Sequence, residues 1–340
     1  MREIKVLVVD DSMVFRQLIS KALDSAPDIK VVATAADPFQ ARDMILRFEP
    51  DVMTLDVEMP KMNGIEFLKR LMPQYPIPTV MLSSLNSAVF DALAAGAVDF
   101  VNKPTDAQAE HIHQWVQDEL LLKVRAAFNA QIKRKPVTPK AVASTGRDYK
   151  DKIVAIGAST GGTEAIADVV QGFHRDIPGT VIVQHMPPGF TRMYAERLNN
   201  QCEVTVKEAQ DGDLVERGKL LLAPGDKQMK LVRTGGLYRV EVKPGAKVSG
   251  HCPSVDVLFQ SVATAAASNA VGVILTGMGA DGAQGLLQMR KKGAKTLGQD
   301  EKTCVVYGMP KVAYDIGAVE RQGPLQNIAS MVYNVLNSMP

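Results

Sequence analysis

No run among the 340 residues approaches the roughly 18 uninterrupted apolar positions that a membrane-spanning helix requires. The opening stretch, MREIKVLVVDD, is a poor export signal, because its apolar run is short and ends in two aspartates. Cysteine is scarce. Cys202, Cys252 and Cys304 are odd in number, widely spaced and without a C-x-x-C pair, which argues against a disulfide framework or a zinc site and fits a reducing, cytoplasmic setting. An excess of one charge is missing too: 39 basic against 37 acidic residues leaves a net charge of +2. Nothing in that balance calls for nucleic acid or an anionic membrane, so neither nucleic-acid binding nor membrane insertion is expected.

What is present is alternation. Short apolar runs (KVLVVD, KVVATAA, DVMTLD, TVMLSS, DFVNKP) take turns with helical patterns (MVFRQLISKALD, PFQARDMILRF, GIEFLKRLM, VFDALAAG) through the first hundred residues. That order predicts βα units around a parallel sheet, closed by one helix over AEHIHQWVQDELLLKVRAAF. Residues 127–149 follow with a Pro, Ser, Thr and basic composition lacking sustained periodicity, which reads as a linker. Beyond it, KIVAIGAS, GTVIVQHM, KLLLAPG, YRVEVK and AVGVILTG are strand candidates, and a β-hairpin insertion is expected around Gly235 and Gly236. The expected fold class is α/β, with two doubly wound parallel-sheet domains at 1–126 and 150–340.

In doubly wound sheets, chemistry collects at the carboxyl ends of strands. In the first domain those ends supply Asp10, Asp11, Asp56, Ser83 and Lys103. A single aspartate at such a place most often caps a helix; five such residues at five strand ends make a different case. Converging carboxylates repel unless a cation joins them, and a hard divalent ion such as Mg2+ suits oxygen donors. Metal and lysine together would neutralise a phosphoryl group arriving on one aspartate. On these residues the first 105 or so positions resemble the receiver domains of response regulators. The resemblance implies a flavodoxin-like fold, with Asp56 as phosphoacceptor. Asp10, Asp11, Asp56 and the backbone carbonyl of Glu58 would be Mg2+ ligands. Ser83, Phe100 and Lys103 would be switch residues, and a histidine kinase the phosphodonor.

The second domain opens on KIVAIGASTGG, a strand running into a helix through Gly157-Ala158-Ser159-Thr160-Gly161. This G-x-S-x-G lies where a nucleophile elbow needs it, with Ser159 at a helix N-terminus. It lacks the Gly-Lys-Ser/Thr of a phosphate loop, and Ser159 replaces the second glycine of a dinucleotide fingerprint. A serine nucleophile needs a base and an orienting acid. His111, His113 and His174 fall in a helix or a polar turn, whereas His185 ends the strand TVIVQH. Asp281 lies in the glycine-rich turn after AVGVILTG, where it could equally cap the next helix. All three candidates are expected to terminate strands of one sheet. Rival readings are a hydrolase for another ester or amide and a docking protein with an inactive hydrolase domain.

Together with GASTGG, QHMPPGFT, LAPGDKQM, PSVDVLF, LTGMGADGA and GQDEKTCVVYGMP, these residues resemble the chemotaxis protein-glutamate methylesterases (CheB) over essentially the whole chain. The resemblance implies an α/β serine-esterase domain in which Ser159 is nucleophile, His185 base and Asp281 its partner. Thr160 and Met278 would border an oxyanion hole, and His251 would lie nearby. Cys252 stands where many relatives are expected to carry a basic residue. The implied activity is phosphorylation-activated demethylation of methyl-accepting chemoreceptors, with glutamine deamidation alongside it. It also implies a receiver that occludes the Ser159 edge until Asp56 is phosphorylated, and no cofactor for the esterase step.

Overall fold

The structure is a computed structural model that describes residues 2–60, 62–84, 87–104, 108–132, 147–149 and 151–340. Contacts divide the chain into two compact units, Met1–Lys133 and Arg134–Pro340. Most of the expected linker, residues 133–146, lies outside the described residues, as does residue 150.

The first unit carries β1 (Ile4–Val9), β2 (Ile29–Ala35), β3 (Val52–Asp56), β4 (Thr79–Ser83) and β5 (Asp99–Asn102). They form one parallel sheet in the order β2-β1-β3-β4-β5. All residues of β3 and β4 are buried, as a sheet covered by helices on both faces requires. Local signals start the intervening helices. The Ser12 hydroxyl accepts from the Phe15 N–H, Asp37 accepts from Phe39 and Gln40 ahead of Pro38, and Asn63 accepts from Glu66. The closing helix departs from the single regular helix expected: Val116–Leu120 winds as a π segment between Ala109–Trp115 and Leu121–Phe128. The wider turn coincides with the burial of Val116 and Leu120. Leu121–Phe128 packs Val124, Ala126 and Ala127 inward.

The second unit adds β6 (Ile153–Ala158), β7 (Gly179–Gln184), β8 (Thr205–Glu208), β9 (Lys219–Leu222), β10 (Lys227–Thr234), β11 (Leu237–Pro244), β12 (Ala270–Ile274), β13 (Lys295–Gln299) and β14 (Arg321–Gly323). Seven of these pair in parallel in the order β14-β13-β12-β6-β7-β9-β8. β10 and β11 form the expected antiparallel hairpin, turning at Gly235 and Gly236 with φ of 59° and 83°. Connections run outward from β6 to one side and from β12 to the other. The crevice of this sheet therefore opens between β6 and β12 at their carboxyl ends. Below it, helix Val255–Ala265 buries Val255, Leu258, Phe259 and Val262, at roughly 1.5–3 kcal/mol for each large side chain. No helix among the described residues is long and apolar enough to cross a membrane.

Candidate active site

Ser159 follows the last residue of β6, and helix Gly162–Gln171 starts three residues later. The positive backbone angle of this turn falls on Gly161, at φ 73°, and not on Ser159. A side chain at Gly161 would also strike Val305, with its Cβ 2.5 Å from the Val305 Cβ. The turn is therefore tight, and its glycine carries the positive angle in place of the serine. Ser159 is 6% exposed. Its N–H donates to the Thr276 carbonyl at 3.0 Å, and its carbonyl accepts from Gly162 N–H at 2.7 Å and Gln184 Nε2 at 2.9 Å.

His185 stands one step beyond β7. Ala158 and Gln184 are partners in the β6–β7 ladder, so Ser159 and His185 are the next pair across adjacent strands. The His185 N–H donates to the Ala158 carbonyl at 3.2 Å. Asp281 does not end a strand as expected. β12 stops at Ile274, and a loop carries the chain seven residues further, to the start of helix Ala283–Lys291. The loop is what lets the carboxylate reach across to β7: His185 Nε2 and Asp281 Oδ2 are 2.7 Å apart. The ionised carboxylate only accepts, so Nε2 carries the hydrogen. Nδ1 is buried with no hydrogen-bond partner among the described residues.

Asp281 is itself held by a helix N-terminus. Its Oδ1 accepts from Ser254 Oγ at 2.8 Å and Asp256 N–H at 3.0 Å, and its Oδ2 from Val255 N–H at 2.7 Å. Burial pushes this carboxyl up, but His185 and the helix N–H groups outweigh that and hold it below the ordinary carboxylate range. Ser254, inside the PSVDVLF motif, and Gln184 support the candidate residues through these bonds, and neither was singled out by itself from the sequence. Ser254 had a signal, a serine directly before the apolar helix VDVLF. Gln184 had only its place before His185.

Among the other expected residues, Thr160 is buried and Met278 half-buried, both beside this turn. The N–H groups of Ser159, Gly162 and Gly277 are committed to backbone carbonyls, which removes them as oxyanion donors. His111 and His113 are exposed, and His174 lies beside Glu203. His251 does come to the site: its ring stacks on that of His185, centroids 3.6 Å apart and planes 11° from parallel.

The first unit gathers a second cluster. One carboxylate oxygen from each of Asp10, Asp11 and Asp56 lies within 4.8 Å of the others, an all-oxygen donor set that fits Mg2+. Lys103 Nζ is 2.7 Å from both Asp10 Oδ2 and Asp56 Oδ2. Burial pushes the Asp56 carboxyl up to about 6 against the pull of Lys103. Burial also weighs against the Lys103 ammonium, yet the two carboxylates raise it above its ordinary range. The Glu58 N–H donates to Asp56 Oδ1 at 3.2 Å. Ser83 Oγ donates to the Ser84 carbonyl at 2.7 Å. Phe100 is buried edge-on against Phe90, with ring centroids 6.3 Å apart.

The CheB methylesterase profile matches residues 154–332, and the response regulator receiver domain profile matches residues 6–117. The chain belongs to the CheB methylesterase family. A CheB relative from Syntrophomonas wolfei, named protein-glutamate methylesterase/protein-glutamine glutaminase 2, is 58% identical over 341 residues, covering 100% of this chain and 99% of that one. One from Salmonella typhi, named protein-glutamate methylesterase/protein-glutamine glutaminase, is 48% identical, covering 98% of this chain and 97% of its own. The crystal structure of the Thermotoga maritima CheB methylesterase catalytic domain superposes with a TM-score of 0.53 at 37% identity, over 54% of this chain and 98% of that one.

Proposed function

We propose that this chain is a phosphorylation-activated serine hydrolase that removes methyl groups from glutamate methyl esters of chemoreceptors and deamidates receptor glutamines, working in the cytoplasm in chemotactic adaptation. The observation that carries the reading is the His185–Asp281 hydrogen bond of 2.7 Å, which leaves Nδ1 of His185 as the nitrogen available to its cross-strand neighbour Ser159. In this assignment Nδ1 takes the Ser159 proton as Oγ attacks the ester carbonyl. Asp281 stabilises the imidazolium that forms, and the ring returns the proton to the departing methoxide, releasing methanol. Water then attacks the acyl-enzyme by the same route in reverse, freeing Ser159 and leaving a glutamate carboxylate. From a glutamine side chain the group that leaves is ammonia. Thr160 and Met278 border the position of the tetrahedral oxygen, where each backbone donor is worth about 10²–10³-fold in rate.

In the receiver, Asp56 is the phosphoacceptor and a histidine kinase the donor. Asp10, Asp11 and Asp56 would hold Mg2+, with the Glu58 carbonyl completing the set, and the ion would supply charge neutralisation at the phosphoryl oxygens. Lys103 contributes a second positive charge, and Ser83 and Phe100 pass on the change. Methanol release from methylated receptor, with and without a small phosphodonor, tests the whole. Ser159→Ala should abolish release and fluorophosphonate labelling, and Asp56→Asn should abolish the response to phosphodonor. A Ser159→Ala protein that still releases methanol would remove the serine mechanism.

A further inference from the structure

His251 is not a strand-end residue and sits in neither the hydrogen-bonded pair nor the elbow, yet its imidazole lies face to face with that of His185. Resting on the reading of His185 as general base, we propose that His251 is a positioning residue. Its ring is a fixed flat surface that holds the His185 imidazole in the plane where Nε2 meets Asp281, leaving Nδ1 for Ser159.

The backbone around His251 is built to hold that ring still. Val248 and His251 exchange two N–H to carbonyl hydrogen bonds of 2.9 Å each, closing a two-residue turn. The turn residues Ser249 and Gly250 have φ of 52° and 84°, the pair of positive angles that a tight primed turn requires. The Ser249 hydroxyl donates to Asp256 Oδ2 at 3.3 Å, and Gln228 Nε2 donates to the carbonyls of Ala246 at 3.0 Å and His251 at 3.3 Å. Gln228 also accepts from the Ser254 N–H at 2.9 Å. The segment 251–256 therefore delivers both constraints on the base: the stacking ring at its start and, at its end, the helix N–H groups that fix Asp281. Beside the bond to Asp281, a parallel ring at 3.6 Å adds a second constraint on the plane of the imidazole.

The experiment measures methanol release from methylated receptor by the phosphorylated full-length protein carrying His251→Ala, His251→Gln or His251→Phe. Ala and Gln should lower kcat about tenfold with KM within about twofold, because a fixed ring acts on the transition state and not on substrate binding. Phe, which restores a flat ring without nitrogens, should recover kcat to within about threefold of the wild type. The His185 ring-proton resonances should move downfield in Ala and Gln, and stay shielded in Phe. Wild-type kcat in the Ala and Gln variants would overturn the proposal, as would a loss expressed in KM alone, or a Phe variant as impaired as Gln. Where His251→Ala does not fold, the Phe and Gln pair carries the test. Ser159→Ala and His185→Ala run alongside: if they retain activity, the catalytic reading itself fails. If they are dead while His251 variants are unaffected, only the positioning role fails.

Discussion

Replacing Asp281 by Asn changes one oxygen to an NH2 group in a site where both oxygens are fully used. Oδ1 accepts from Ser254 Oγ and the Asp256 N–H, and Oδ2 from His185 Nε2 and the Val255 N–H. Asparagine keeps a single acceptor, so whichever way the amide turns, its NH2 faces two donors. If the amide oxygen takes the Oδ1 position, the NH2 points at His185, which must then present Nε2 as an acceptor and carry its hydrogen on Nδ1. That is the wrong tautomer for a base serving Ser159, and the expected fall in kcat is about 10⁴-fold. Removing the charge from a buried pair should also destabilise the second unit by about 3–5 kcal/mol.

The assays are methanol release and urea unfolding, both run across pH. Because the Asp281 carboxyl is held below its ordinary range, its contribution to stability is fully present above the unfolded value of about 3.9 and is lost as pH falls through the folded value. Wild type and variant should therefore converge in stability only at the acid end. An Asp281→Asn protein with a rate within tenfold of wild type would show that the carboxylate does not set the tautomer, and the role assigned to Nδ1 would fall with it.

Other residues make separate claims. Gly277→Ala would put a Cβ 2.8 Å from the Ser159 Cβ and against the Met309 sulfur. It should lower kcat about 10–100-fold and destabilise by about 1–3 kcal/mol, read by methanol release and urea unfolding. Gln184→Leu removes the amide that donates to the carbonyls of Ser159 and His185 at 2.9 and 3.2 Å. A loss of about 1–3 kcal/mol is expected in urea unfolding, with slower fluorophosphonate labelling of Ser159. In the first unit, burial raises the Asp56 carboxyl to about 6, so the folded state binds its proton more tightly than the unfolded chain does. Stability should thus fall as pH rises from about 4 to 6, and Asp56→Asn should relieve about 2–3 kcal/mol of it above that window in chelator-containing buffer. A calorimetric difference between the two proteins that did not vanish at low pH would contradict this.

Much of both units was legible because their strands are short continuous apolar runs and their helices begin at recognisable caps. The succession of β1 to β5 along the chain follows from the alternation of apolar runs and helical patterns, and the placing of Asp10, Asp56 and Lys103 at one edge follows from their position at strand ends. β13 and β14 were not legible: KTLGQ and RQG are short, and little in their composition separates them from loop. The π segment at Val116–Leu120 was hidden for a related reason, since its apolar residues keep a helical rhythm and only packing decides the width of a turn.

At the active site, sequence by itself determined the chemical groups: a serine between a strand and a helix, a histidine after the next strand, and an aspartate in a glycine-rich turn. Those choices depend on local backbone geometry, which neighbouring residues dictate. What joins the groups is long-range and was decided by tertiary structure alone. The loop that carries Asp281 from β12 toward β7, the helix N-terminus at 254–256 that grips it and the His251 ring laid on His185 each bring together residues far apart in the chain. No local pattern encodes such a meeting, because it exists only once the two halves of the sheet have formed around β6.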